Sequence, residues 1–128
     1  DTRESPAIEL AKLLLIEGAI LNIHDPQVNS KKINDDIMNI LKMERLEIPE
    51  NDKRWFYKDN ILDSVENSDA IIIVTDWDEY KKLNWSLISK KMRHPAWVFD
   101  TRNVVDPKKV KFNGINYWGV GKGFETEN

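Results

Sequence analysis

Two arginines stand where a chain of this kind would hold an anion. Arg102 lies in the run Trp97-Val98-Phe99-Asp100-Thr101-Arg102-Asn103-Val104-Val105-Asp106. Ala96 to Phe99 suits a buried strand, and the chain turns polar immediately after it. In open α/β sheets ligands bind just outside the carboxyl ends of the strands, on loops such as 100–103. A guanidinium there offers a planar, permanently charged fork suited to phosphate. The plainer use is a salt bridge to Asp100 or Asp106. Arg3 stands before Ser5-Pro6, a helix entrance whose free amides and dipole favour anions. Its plainer use is a pair with Glu4.

Other chemistry is thinner. Asp76 and Asp78 flank Trp77 after a strand, where paired carboxylates suit a metal or acid/base work. The blander assignment has Asp76 capping a short helix and Trp77 filling a gap in the core. His24 and His94 are the only histidines. They are far apart, and neither has a second ligand at helix spacing, so a histidine metal site has little support. No dinucleotide fingerprint, phosphate loop or nucleophile elbow occurs. Gly119, Gly121 and Gly123 precede no helix and read as turns. Trp55, Phe56 and Tyr57 suit base stacking or, more commonly, packing.

The elements that must position these residues follow from punctuation and periodicity. Ser5 caps and Pro6 opens a helix that is apolar except at Glu9, Lys12 and Glu17, and Gly18 ends it. That narrow polar stripe predicts a helix mostly covered by its neighbours. Ala19 to Ile23 reads as a strand and His24-Asp25-Pro26 as a turn. Ser30 is placed to cap a helix with Ile33, Ile37, Ile40 and Leu41 on one face. Residues 27–60 as a whole read as a helical excursion, with a short helix over Ile61, Leu62 and Val65 after Asp59 or Asn60. Ile71-Ile72-Ile73-Val74 predicts a strand buried on both faces. A helix with Trp85, Ile88 and Met92 on one side stops at His94-Pro95. A charged segment from Asp106-Pro107 reaches the turn at Asn113-Gly114. Ile115 to Val120 is a last strand before a polar tail. The alternation of helix and strand predicts an α/β, Rossmann-like three-layer domain with a mostly parallel sheet and a helical insertion near 27–60.

With 128 residues, 41% hydrophobic and 32% charged, the chain is a globular domain large enough for a proper core. A net charge of −3 argues against a general nucleic-acid binder. There are no cysteines, which removes disulfides, thiolate ligands and thiol nucleophiles. No apolar run approaches the roughly 20 residues that span a bilayer, so no membrane partner is expected. A start on a polar loop without Met leads to the expectation of a piece of a longer protein.

The motifs carry a resemblance. Asp1-Thr2-Arg3-Glu4-Ser5-Pro6-Ala7, a helix, Gly18 and His24-Asp25-Pro26 resemble the carboxyl-terminal domain of nucleotide-sugar dehydrogenases. Thr75-Asp76-Trp77-Asp78-Glu79-Tyr80 is similar to a stretch of the UDP-glucose 6-dehydrogenase branch. So are Met92, Pro95-Ala96, Phe99-Asp100, Arg102-Asn103-Val104-Val105-Asp106 and Gly121-Lys122. Residues 27–60 match least. The resemblance implies that 1–128 is a single UDP-binding domain of a longer enzyme that oxidises UDP-glucose to UDP-glucuronate with two NAD. An amino-terminal domain would bind most of the NAD, and a central helical region would link the domains and form the dimer. Arg102 then contacts substrate, and Arg3 reaches the cofactor across the interdomain cleft. The catalytic cysteine and a substrate-binding lysine would lie upstream, so this piece alone is not expected to turn over. The implied setting is a cytoplasmic homo-oligomer. The family usually carries Gly where Thr101 stands and often Glu where Asp76 stands. Two alternatives remain open at this point. One is another nucleotide-sugar 6-dehydrogenase, acting on UDP-N-acetylmannosamine or GDP-mannose. The other is a non-enzymatic interaction or receiver-like regulatory domain, for which Asp25 lacks an adjacent acid pair.

Overall fold

The computed structural model describes residues 5–46 and 48–125. The chain divides into two compact units, one ending at Asn60 and one beginning at Ile61. Each has its own hydrophobic core. Among the described residues no helix is long and apolar enough to cross a membrane.

The first unit opens with helix α1, Pro6–Ile16. The Ser5 hydroxyl accepts from the Ile8 amide at 3.3 Å, and Pro6 takes the first turn, where its missing N–H costs nothing. Gly18, at φ +91°, ends the helix in the left-handed region. Strand β1 is Leu21–Ile23, and helix α2 is Ser30–Met43. The cap of α2 is Asn29, one residue earlier than expected: its side chain accepts from the Lys32 amide at 2.8 Å. Ser30 instead lies inside the first turn. Ile33, Ile37, Ile40 and Leu41 are buried, as their spacing predicts. They pack with Ile8, Ala11, Leu15 and Trp55.

Residues 27–60 are not a purely helical excursion. Trp55–Tyr57 forms strand β2, which pairs in parallel with β1, Leu21 opposite Trp55 and Ile23 opposite Tyr57. The α1 expectation also needs correction. Lys12 is on the covered side, donating to Glu9 at 2.6 Å and Glu44 at 2.9 Å, while Leu13 and Ile16 stay about half exposed. The hydrogen bonds to Glu9 and Glu44 hold the Lys12 ammonium above its ordinary pKa.

The second unit contains helix α3 (Ile61–Val65), strand β3 (Ala70–Ile73), helix α4 (Trp85–Lys91) and strand β4 (Trp97–Asp100). Helix α5 (Pro107–Phe112) and strands β5 (Asn116–Gly119) and β6 (Gly123–Glu125) complete it. The sheet order is β3-β4-β5-β6, with the first three strands parallel and β6 antiparallel. One face is buried: Ile73, Val98 and Tyr117 pack with Val65, Trp85, Ile88 and Val110 from the helices and with Met92, just after α4. The other face carries aromatic rings. Trp97 stacks on Phe99 at 5.6 Å and meets Phe124 edge-on at 5.9 Å.

Three expectations change here. Strand β3 is at the edge of this sheet, and Ile71 and Ile72 are only half-buried, so it is not sealed on both faces. The charged segment after Asp106 is α5, which exposes Lys108 and Lys109 and is anchored by buried Val110. The strand expected at Ile115 to Val120 is not the last one, and the Gly-Lys-Gly turn leads into more than a polar tail. It folds the chain back as β6 against β5, with Gly121 and Gly123 at φ +76° and +69°.

Candidate functional site

Strands β3, β4 and β5 end side by side, with Ile73 opposite Asp100 and Asp100 opposite Gly119. The loop from Asp100 to Asp106 starts at the central one of these ends. Its backbone is folded around one carboxylate. Asp100 is wholly buried. Its Oδ1 accepts from the Arg102 amide at 3.0 Å, and its Oδ2 accepts from the amides of Val104 and Val105 at 2.8 and 2.9 Å. A buried carboxylate needs such partners, since desolvation without them is prohibitive. Asn103 takes the left-handed conformation, φ +56°, that closes so tight a turn; Asn tolerates it better than most residues.

A second tie binds the loop to the neighbouring strand. The Thr101 hydroxyl donates to the Ile73 carbonyl at 2.8 Å, and the Thr101 amide reaches the same oxygen at 3.1 Å. The Thr101 side chain is therefore used within the loop. Arg102 follows, with its side chain half exposed and its Nη2 3.5 Å from Asp76 Oδ2. The expected pairing with Asp100 or Asp106 does not occur through the guanidinium. Asp100 holds the Arg102 backbone, and Asp106 caps α5 through the Lys108 amide.

The other singled-out residues separate. Asp76 does not cap the 3-10 turn at Asp78–Lys82; Trp77 precedes that turn without a side-chain cap. Asp76 faces Arg102 and Asp78 pairs with Lys81 at 3.1 Å, so the two carboxylates serve different cations. Trp77 is half-buried, and its indole N–H has no acceptor among the described residues. His94 Nε2 lies 2.7 Å from the Ser89 carbonyl. Among the described residues no group of three His, Asp or Glu is placed to hold a metal. Asp25 is occupied in a turn, accepting from the amides of Gln27 and Val28. Arg3 lies outside the described residues. Sequence reasoning missed Asp100. The signal was present: an Asp at a strand end, followed two residues later by the backbone amide it accepts from, is the pattern of an Asx turn.

Mostly parallel strands joined by helices, with a polar loop at the strand ends, define a Rossmann-like α/β architecture. The family model described as "UDP-glucose/GDP-mannose dehydrogenase family, UDP binding domain" matches residues 1–107, and the chain belongs to that family. UDP-glucose 6-dehydrogenase 3 of Arabidopsis thaliana is 35% identical over 132 residues, covering 95% of this chain and 27% of that protein. UDP-glucose 6-dehydrogenase of Caenorhabditis elegans is 34% identical over 124 residues, covering 94% and 24%. The chain thus spans about a quarter of the length of these relatives. Among solved structures, UDP-D-ManNAc dehydrogenase from Pyrococcus horikoshii superposes with a TM-score of 0.50 at 25% identity, over 92% of this chain and 31% of that one. NDP-N-acetyl-D-galactosaminuronic acid dehydrogenase from Methanosarcina mazei Go1 shares the fold, with a TM-score of 0.52 at 18% identity, over 91% and 28%.

Proposed function

We propose that this chain holds the UDP part of UDP-glucose within a UDP-glucose 6-dehydrogenase that forms UDP-glucuronate with two NAD. The observation that supports it is Arg102: a guanidinium on a carboxylate-anchored loop at the strand ends, in a chain of this family. Its fork has more N–H donors than the contact to Asp76 uses, leaving donors for a phosphate oxygen. In this reading Arg102 binds and orients the diphosphate and moves no proton. The catalytic cysteine belongs to another part of the enzyme.

NAD accepts hydride when bound, but the described residues do not fit a cradle for it. Helices α1, α2, α4 and α5 open on caps at Ser5, Asn29, Asn84 and Asp106, not on a glycine loop. No step through NAD is assigned to them. The proposal keeps Arg3 as a contact to the cofactor from this domain, the remaining NAD contacts being supplied by the amino-terminal domain. It also keeps the setting of a cytoplasmic homo-oligomer.

Calorimetry of the full-length enzyme with UDP-glucose tests the reading. Arg102→Ala should weaken binding by about 1.5–3 kcal/mol, the usual worth of a hydrogen bond to a charged group. Unchanged affinity would show that the assignment is wrong. A second reading, a UDP-N-acetylmannosamine dehydrogenase, is favoured by the structural likeness to the Pyrococcus horikoshii protein. Turnover of that sugar in preference to UDP-glucose would establish it.

A further inference from the structure

We infer that Asp100, assisted by Thr101, is a positioning residue for UDP-sugar binding, acting through Arg102. The inference rests on the proposed role of Arg102 as the diphosphate contact. A cation on a mobile loop binds an anion only after losing its freedom, and that lost freedom is subtracted from affinity. Here the freedom is already removed. The carboxylate of Asp100, inside the protein, gathers three backbone amides between 2.8 and 3.0 Å, the first of them belonging to Arg102 itself. Thr101, immediately before it, is fastened through both its amide and its hydroxyl to the Ile73 carbonyl on β3. The Cα of Arg102 is thus fixed from two directions, although its side chain remains half exposed.

The two oxygens of Asp100 do unequal work, and this makes a selective test. Oδ2 serves Val104 and Val105, while Oδ1, among the described residues, serves Arg102. An asparagine has one acceptor oxygen and one donor amide. Placing the oxygen where Oδ2 stood keeps two bonds. The NH2 group then faces the Arg102 N–H, donor against donor. Asp100→Asn should therefore release the loop at Arg102 first.

The experiment is steady-state kinetics of the full-length dehydrogenase with UDP-glucose as the varied substrate. Arg102→Ala, Asp100→Asn, Thr101→Val and the double variant Asp100→Asn/Arg102→Ala are compared. Asp100→Asn should raise KM for UDP-glucose about tenfold and lower kcat far less, the pattern of lost binding common to ground and transition states. KM for NAD should not follow. Thr101→Val, which removes only the hydroxyl bond, should raise KM about threefold, in keeping with one neutral hydrogen bond. The double variant should be no worse than Arg102→Ala, since Asp100 acts through Arg102.

Additive effects in the double variant would overturn the inference. So would an unchanged KM in Asp100→Asn while Arg102→Ala raises it; the proposed function would then stand without the positioning role. An unchanged KM in Arg102→Ala would instead defeat the proposed function, and the inference with it. If Asp100→Asn fails to fold, Thr101→Val decides alone: a normal KM in a folded enzyme overturns the inference.

Discussion

Two loops leave strand ends by the same device and end in different uses. After β1, half-buried Asp25 accepts from the amides of Gln27 and Val28 at 2.8 and 3.2 Å, and the chain runs directly into α2. After β4, fully buried Asp100 accepts from three amides, and the chain passes through Arg102 before reaching α5. In the first loop the aspartate folds a connection. In the second it also presents a cation, and Thr101 fastens the loop to the neighbouring strand. An Asx turn alone is therefore no sign of a site. What separates the two loops is the depth of the carboxylate, the second tether and the charge carried between them.

Truncation should show the difference in depth most strongly. Asp100→Ala removes the acceptor of three loop amides, one of them buried, and the second unit should lose about 3 kcal/mol in urea unfolding. An effect no larger than that of Asp25→Ala would erase the distinction. Gly119→Ala probes the strand that supports Asp100 from the β5 side. A methyl group there would collide with the buried Tyr117 side chain, on the same face two residues back, its ring carbon Cζ only 2.5 Å away. Overpacking of this kind should cost about 1–3 kcal/mol, read as a lower thermal midpoint. Asp25→Ala should cost about 1 kcal/mol and leave KM for UDP-glucose where it was. A raised KM would mean that the first loop also serves the substrate.

The smallest expected effect concerns the first unit at alkaline pH. Lys12 has a folded pKa raised above its ordinary 10.5 by hydrogen bonds to Glu9 and Glu44. Its contribution to stability is complete below pH 10.5 and is lost as the pH rises through the raised value. Stability curves of Lys12→Met and the parent chain should therefore converge above that range and separate below it. A separation that stays constant as the pH rises past the ordinary lysine range would contradict the assigned cause.

Legibility followed the length of the pattern. Ile33, Ile37, Ile40 and Leu41 repeat a helical spacing often enough to mark α2, and Ile71-Ile72-Ile73 marked β3. Strand β2 offers three residues after a polar, irregular stretch. Nothing periodic fits into Trp55–Tyr57, and its state is decided by pairing with β1, distant in sequence. Helix α5 was missed although Asp106-Pro107 is a cap followed by a first-turn proline, because its lysines hid the single buried anchor, Val110. Arg102 was readable as a type of residue in a type of place. Its neighbour Asp76 was not, because that pairing joins loops 26 residues apart through the alignment of β3 with β4. Asp100 looked like part of a polar loop. Only the closed backbone around it shows that it is the one charged group there removed entirely from water.

The hairpin that ends the sheet has a consequence for how copies of the chain behave when concentrated. A sheet edge with unpaired N–H and C=O groups is a template for an incoming strand. Beyond β5 that edge is occupied by β6, three residues long and entered through a turn with glycines in the left-handed region. Such a strand offers few hydrogen bonds in register to a newcomer. Shortening the chain before Gly123 would uncover β5 along its length. The product should then form strand-to-strand oligomers at concentrations where the intact chain does not, a difference that light scattering would register.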